Sequence, residues 1–118
     1  MSAQVPEQLR SRVVAYFSGK AKARAIFDAC LAAMHMDPFW EWTDEGLMRL
    51  RRWYPCIEVY PEDDGLRLHL DLYGHRQHPR LRAVEGSQWN ELWLESPDDV
   101  DEQVKAWLCE ALDIGNLK

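Results

Sequence analysis

A chain of 118 residues is the size of one ordinary domain, large enough to bury most of the surface its unfolded form exposes, so a single domain over residues 1–118 is expected. Hydrophobic residues at 47% and charged residues at 29% exclude a disordered chain, and no run approaches the ~18 apolar residues that could span a bilayer. The net charge of -6 sits in one half: residues 61–118 hold 6 basic and 13 acidic groups against 8 and 7 in residues 1–60, which disfavours phosphate backbones and favours basic partners.

In chain order, residues 6–17 place Leu9, Val13, Tyr16 and Phe17 at helical spacing before the break Ser18-Gly19-Lys20. A second helix from Ala21 to about Met34 carries the apolar stripe Ile26, Phe27, Cys30, Leu31 and Met34 on an alanine-rich scaffold. After Asp37-Pro38 the period changes to two. "FWEWT", "LMRLRRWY" and "CIEVY" read as successive strands, the first two joined through Asp44-Glu45-Gly46. Leu66, Leu68, Leu70 and Leu72 alternate with Arg67, His69, Asp71 and Tyr73, a strand with one dry and one wet face. It is paired to "CIEVY" through the turn "PEDDG", whose glycine is expected at positive φ. Residues 74–86 have no period and read as a loop, and "WNELWLE" returns the chain to the sheet. The last helix is expected from Pro97, with Ser96 as its cap, Asp99 completing a capping box, Val100, Val104, Trp107, Leu108, Ala111 and Leu112 as its buried stripe, and Gly115 as its stop. The expected fold is α+β: two N-terminal helices, an antiparallel meander of four or five strands and a C-terminal helix, in two layers.

Cys30, Cys56 and Cys109 are odd in number, far apart and without a CxxC pair, so reduced thiols are expected. With no apolar run in "MSAQVPEQLRSR", the expected location is the cytoplasm.

"YFSGKAKARAIFDAC" followed by strands, then "HPRL" and "SPDDVDEQVKAWLCEAL", resembles a small bacterial family of uncharacterised α/β domains. Some of its members are named as transport proteins, and similar domains are appended to some restriction-endonuclease subunits. The resemblance implies the fold; its motifs are caps, turn glycines and core positions, and it carries over no catalytic residue. The chain departs from the family's pattern at Leu112, where the last helix usually ends on an aromatic, and in the tryptophans of its first strands.

Four residues form the nearest approach to a metal set: His69 and Asp71 on one strand face, with His75 and His78 in the loop behind it. The HxxH spacing lies on a loop flanked by glycine and proline, which lacks the fixed geometry of a helical metal motif, so no metal and no cofactor is assigned. The single glycine of "SGK" follows a helix rather than a strand, unlike a P-loop. No serine or cysteine has a base and orienting group beside it, so no catalytic residue is assigned and the chain is not read as an enzyme.

Two surfaces remain. Opposite the leucine ladder, period two gathers Arg49, Arg51, Trp53, Glu58, Tyr60, Arg67, His69, Asp71 and Tyr73 on one face, rich in residue types that anchor protein interfaces. Trp40 and Trp42 share the other face as core or edge cover, and the burial of Trp53 decides whether it serves as an anchor. Glu95, Asp98, Asp99, Asp101 and Glu102 form an acidic patch suited both to a helix start and to a basic partner. The expected function is a small acidic cytoplasmic protein that binds another protein with a basic surface, as an inhibitor, immunity protein or regulatory adaptor. The alternatives are a nucleic-acid module using Arg49, Arg51, Arg52, Arg67, Arg76, Arg80 and Arg82 with Trp40 or Trp53 as stacking platforms, and a metal-dependent enzyme.

Overall fold

A computed structural model describes residues 3–117. A 3-10 turn at Glu7–Leu9 leads into α1 (Arg10–Tyr16), and α2 (Ala21–Ala33) follows after Gly19, whose φ of +74° reverses the chain where a side chain would be strained. Six strands come next: β1 (Phe39–Trp42), β2 (Met48–Arg51), β3 (Pro55–Pro61), β4 (Leu66–Asp71), β5 (Leu81–Ala83) and β6 (Trp89–Leu94). Helix α3 (Glu102–Gly115) closes the fold. The sheet is antiparallel throughout, in the order β1-β2-β3-β4-β6-β5. The architecture is the expected α+β one. Strand β5 arises inside the segment read as a loop, and the chain skips over β6's place to reach the edge before returning.

The core follows the two periods. Met48, Leu50, Ile57, Val59, Leu66, Leu68, Leu70, Leu92 and Leu94 point inward from the strands, against Phe27, Cys30 and Met34 of the α2 region and Val104, Leu108 and Leu112 of α3. Each such leucine contributes about 2 kcal/mol by leaving water. Tyr16 ties α1 to this layer: its hydroxyl donates to the Val59 carbonyl at 2.5 Å and accepts from the Met48 amide at 3.1 Å. Trp40 and Trp42 pack partly buried against the core, as period two requires.

Two local expectations are corrected and a third is refined. The helix expected from Pro97 begins instead at Glu102: Pro97–Asp99 is a separate 3-10 turn, and Asp101 caps α3 by accepting from the Val104 amide at 3.0 Å. Gly65 is not at positive φ. A Cβ there would stand 2.3 Å from the Leu94 carbonyl, so what excludes a side chain is the close approach of β6. Gly115 is the last residue of α3, as expected, but not through a positive φ: a Cβ there would stand 2.9 Å from the Cys56 sulfur and 3.0 Å from the Tyr54 carbonyl, so close approach excludes a side chain.

Beyond Leu50 the register of β2 with β3 shifts, and Arg51 pairs with Pro55. The irregularity lets both Cys56 and Ile57 turn inward, and it ends period two before Trp53. No helix among the described residues is long and apolar enough to cross a membrane.

Candidate functional site

All the helices named above lie on one side of the sheet, so the opposite face is left to the outward side chains. Register places one of them from each strand in a single row: Glu41 beside Arg49, Arg49 beside Glu58, Glu58 beside His69, His69 beside Glu91, and Glu91 beside Arg82. Charge alternates along this row, the arrangement that stabilises cross-strand neighbours.

Its first part is a fork. Glu41 accepts from Arg49 Nε at 2.7 Å and from Arg51 Nη1 at 2.8 Å. Burial pushes the Glu41 carboxyl up, but the two guanidiniums outweigh it and hold the group below its ordinary range. At the centre, His69 stands between two carboxylates, with Nδ1 3.3 Å from Glu58 and Nε2 3.2 Å from Glu91. Only an imidazolium can donate to both. The Arg67 Nη1 atom is 3.4 Å from the same Nε2 and 3.7 Å from Glu91, so the neutral ring can instead accept from Arg67 while still donating to Glu58. The Glu58 carboxyl is held below its usual range, first by the hydrogen bond to His69 and then by that from Tyr60 at 2.9 Å, against burial. The Tyr60 phenol is raised by burial and by the Glu58 carboxylate it donates to, and Arg67 stacks 4.2 Å from its ring centroid.

The expected face residues are therefore largely together: Arg49, Arg51, Glu58, Tyr60, Arg67 and His69 form one connected network. Asp71 and Tyr73 sit beyond its end, where Asp71 Oδ1 accepts from the Tyr73 amide at 3.2 Å. Trp53 is the exception. It belongs to the bend between β2 and β3 rather than to the strand face, is 58% exposed, and accepts from the Arg51 guanidinium at its carbonyl at 2.5 Å.

Glu41, Glu62 and Glu91 complete the network and are absent from the face as read in sequence. Glu62 closes on Arg67 at 2.8 Å. The alternation in "WNELWLE" carries the signal for Glu91, since Trp89, Glu91 and Trp93 share the outward side while Asn90, Leu92 and Leu94 are buried. Buried Asn90 anchors the segment after β4, accepting from the Arg76 amide at 2.8 Å and donating to the Gly74 carbonyl at 2.9 Å.

The four metal candidates go to different partners: His69 to the two glutamates, Asp71 to its own turn, His75 to the Ser87 carbonyl at 2.7 Å, and His78 against the Trp107 ring at 4.8 Å. Among the described residues no group of three or more His, Cys, Asp or Glu side chains is placed to hold a metal ion. In the acidic patch, Asp99 accepts from the Glu95 amide and exposed Asp101 pairs with Arg80 at 2.9 Å; Glu95, Asp98 and Glu102 are exposed as well. Cap chemistry thus accounts for Asp99 and Asp101, not for Asp98.

Six of the seven arginines of the nucleic-acid alternative are answered within the molecule; the seventh, Arg82, is exposed beside Glu91 with no ion pair among the described residues. Arg49 and Arg51 meet Glu41, Arg67 meets Glu62, Arg76 meets Glu110, Arg80 meets Asp101, and Arg52 binds the Asp37 carbonyl and Asn116.

The two ends of the sheet differ. At one lie the β1–β2 turn with Asp44 and Glu45, the β3–β4 turn with Asp63 and Asp64, and Glu95 after β6, all exposed. At the other, Phe39, Trp53, Tyr54, Tyr73 and Leu117 expose from 47 to 68% of their surface, and Tyr54, Tyr73 and Leu117 border a groove of about 490 Å³. Comparison with known proteins returned no matching family model, no matching curated protein and no matching solved structure.

Proposed function

We propose that this chain works by binding another protein, one with a basic surface, as an inhibitor, immunity protein or regulatory adaptor, and that it does so in the cytoplasm. The observation that carries the reading is the sheet face that no helix covers, with its self-paired charges and its border of exposed Trp53, Tyr54, Tyr73 and Trp93. Large aromatic rings in water are unfavourable in a monomer and are the side chains that most often anchor protein interfaces. Paired arginines and glutamates beside them supply directional contacts without a net cationic patch, and the net charge of -6 with its exposed acidic turns favours encounter with a basic protein. The free thiols Cys30, Cys56 and Cys109 suit a reducing compartment.

The test is light scattering on the purified chain mixed with the basic proteins encoded next to its gene. A complex is expected that Trp93→Ala and Tyr60→Ala weaken and that substitution of exposed Lys22 on α2 leaves intact. A complex insensitive to both face substitutions, or none with any of those proteins, overturns the reading.

A further inference from the structure

The groove at the aromatic end has the composition of a receptor for a positive charge. Its walls include Tyr54, Tyr73, Trp89, Ile114 and Leu117, and Asp71 opens into it. Arg49 also borders it, but that guanidinium is matched by Glu41 and lies 3.9 Å from Glu58. Among the described residues Asp71 has no cationic partner; its recorded contact is the backbone amide of Tyr73. The groove thus joins aromatic side chains, whose faces attract cations through their quadrupole, to a carboxylate that forms no ion pair among the described residues.

Tyr73 adds a second observation. Its φ is +63°, a left-handed conformation that bulky residues rarely adopt, and Gly74 follows at +108°. Tyr73 is nevertheless 68% exposed, so core packing does not require a side chain there. Strain kept at a solvent-facing aromatic beside an unanswered acid is the pattern of a ligand clamp.

We propose that this groove receives a lysine or arginine side chain from the partner protein. The inference rests on the protein-binding reading above and identifies where and by what chemistry the partner's basic surface is gripped. The side chain enters between Tyr54, Tyr73 and Trp89 and its charge meets Asp71.

The experiment is an NMR titration with a short oligolysine peptide, the same peptide with its amines acetylated, and spermidine. Asp71→Asn is the decisive variant, because an asparagine oxygen can still accept from the Tyr73 amide while the charge is gone. Saturable shifts confined to the groove are expected with oligolysine, abolished by acetylation and weakened about tenfold in Asp71→Asn. Tyr73→Gly should raise stability by releasing strain yet weaken binding, opposite signs that a purely structural tyrosine would not give. Peptide shifts confined to residues 62–65 and 95–98, unchanged in Asp71→Asn, overturn the groove while leaving the protein-binding reading standing. Spermidine binding more tightly than the peptide overturns a protein side chain as the occupant. No saturable shift with any cation overturns the groove proposal outright, and the mixing experiment then judges the broader reading alone.

Discussion

The Nδ1 atom of His69 lies 3.3 Å from Oε1 of Glu58, its neighbour across β4 and β3. That contact is the main reason the Glu58 carboxyl ionises below its ordinary range. A carboxyl depressed in the folded state stabilises the protein above its unfolded pKa, and that contribution disappears as pH falls through the lower folded value. Resistance to urea unfolding should therefore fall below about pH 4.5. Glu58→Gln should make this acid limb shallower and cost on the order of 1 kcal/mol at neutral pH. An unchanged limb would place the acid sensitivity elsewhere.

Replacing a helical glycine by alanine ordinarily stabilises by up to ~1 kcal/mol. Gly115→Ala should have the opposite sign, destabilising by about 1–3 kcal/mol, because the added methyl meets Cys56 and the Tyr54 carbonyl. Adding Cys56→Ala should recover part of the loss, measured by denaturant unfolding, since the sulfur leaves and the carbonyl stays.

Tyr16→Phe removes the hydroxyl that joins α1 to β2 and β3, leaving the Met48 amide and Val59 carbonyl without it. A loss of about 1–2 kcal/mol is expected. Hydrogen exchange at the Met48 amide should speed up more than at neighbouring strand amides; uniform change across β2 would make the bond incidental.

Burial pushes the Cys30 and Cys56 thiols up to about 12, and Cys109 is half-buried on α3. The thiolate is the reactive form, so native protein should react with a thiol reagent at Cys109 alone, and all of the thiols should react after unfolding. Rapid native labelling of Cys30 or Cys56, read by peptide mass, would contradict their enclosure.

Binding to DNA or RNA at low salt should be absent by fluorescence polarisation, because six of the seven candidate arginines, all but Arg82, already face carboxylates or carbonyls. Saturable, salt-dependent binding would revive the nucleic-acid alternative.

Periodicity made most of this fold legible. The leucines of β4 and the stripes of α2 and α3 required no tertiary knowledge, since burial of one face is written directly into the spacing. What escaped was set by contacts between distant segments. Strand β5 has only three residues and exists because β6 offers it a ladder, so no local pattern announces it. Counting in twos puts Trp53 on the outward face, and the irregularity after Leu50 breaks that count. Glu41 and Glu91 join the site only through register, which pairs them with Arg49 and His69 across other strands. Asp71 and Tyr73 were recognised as neighbours, but the left-handed turn that presents the ring is a conformation the residue types argue against.

The brevity of the outer strands has a consequence for how copies of the molecule meet. At one border β1 offers four residues, with buried Pro38 just before it; at the other β5 offers three, with Pro79 nearby and Arg82 at its centre. A second copy arriving edge-on finds too little ladder to zip onto, and only Trp93 and Leu94 of β6 extend past the reach of β5. Strand-by-strand lengthening of the sheet therefore has little template to start from at either border.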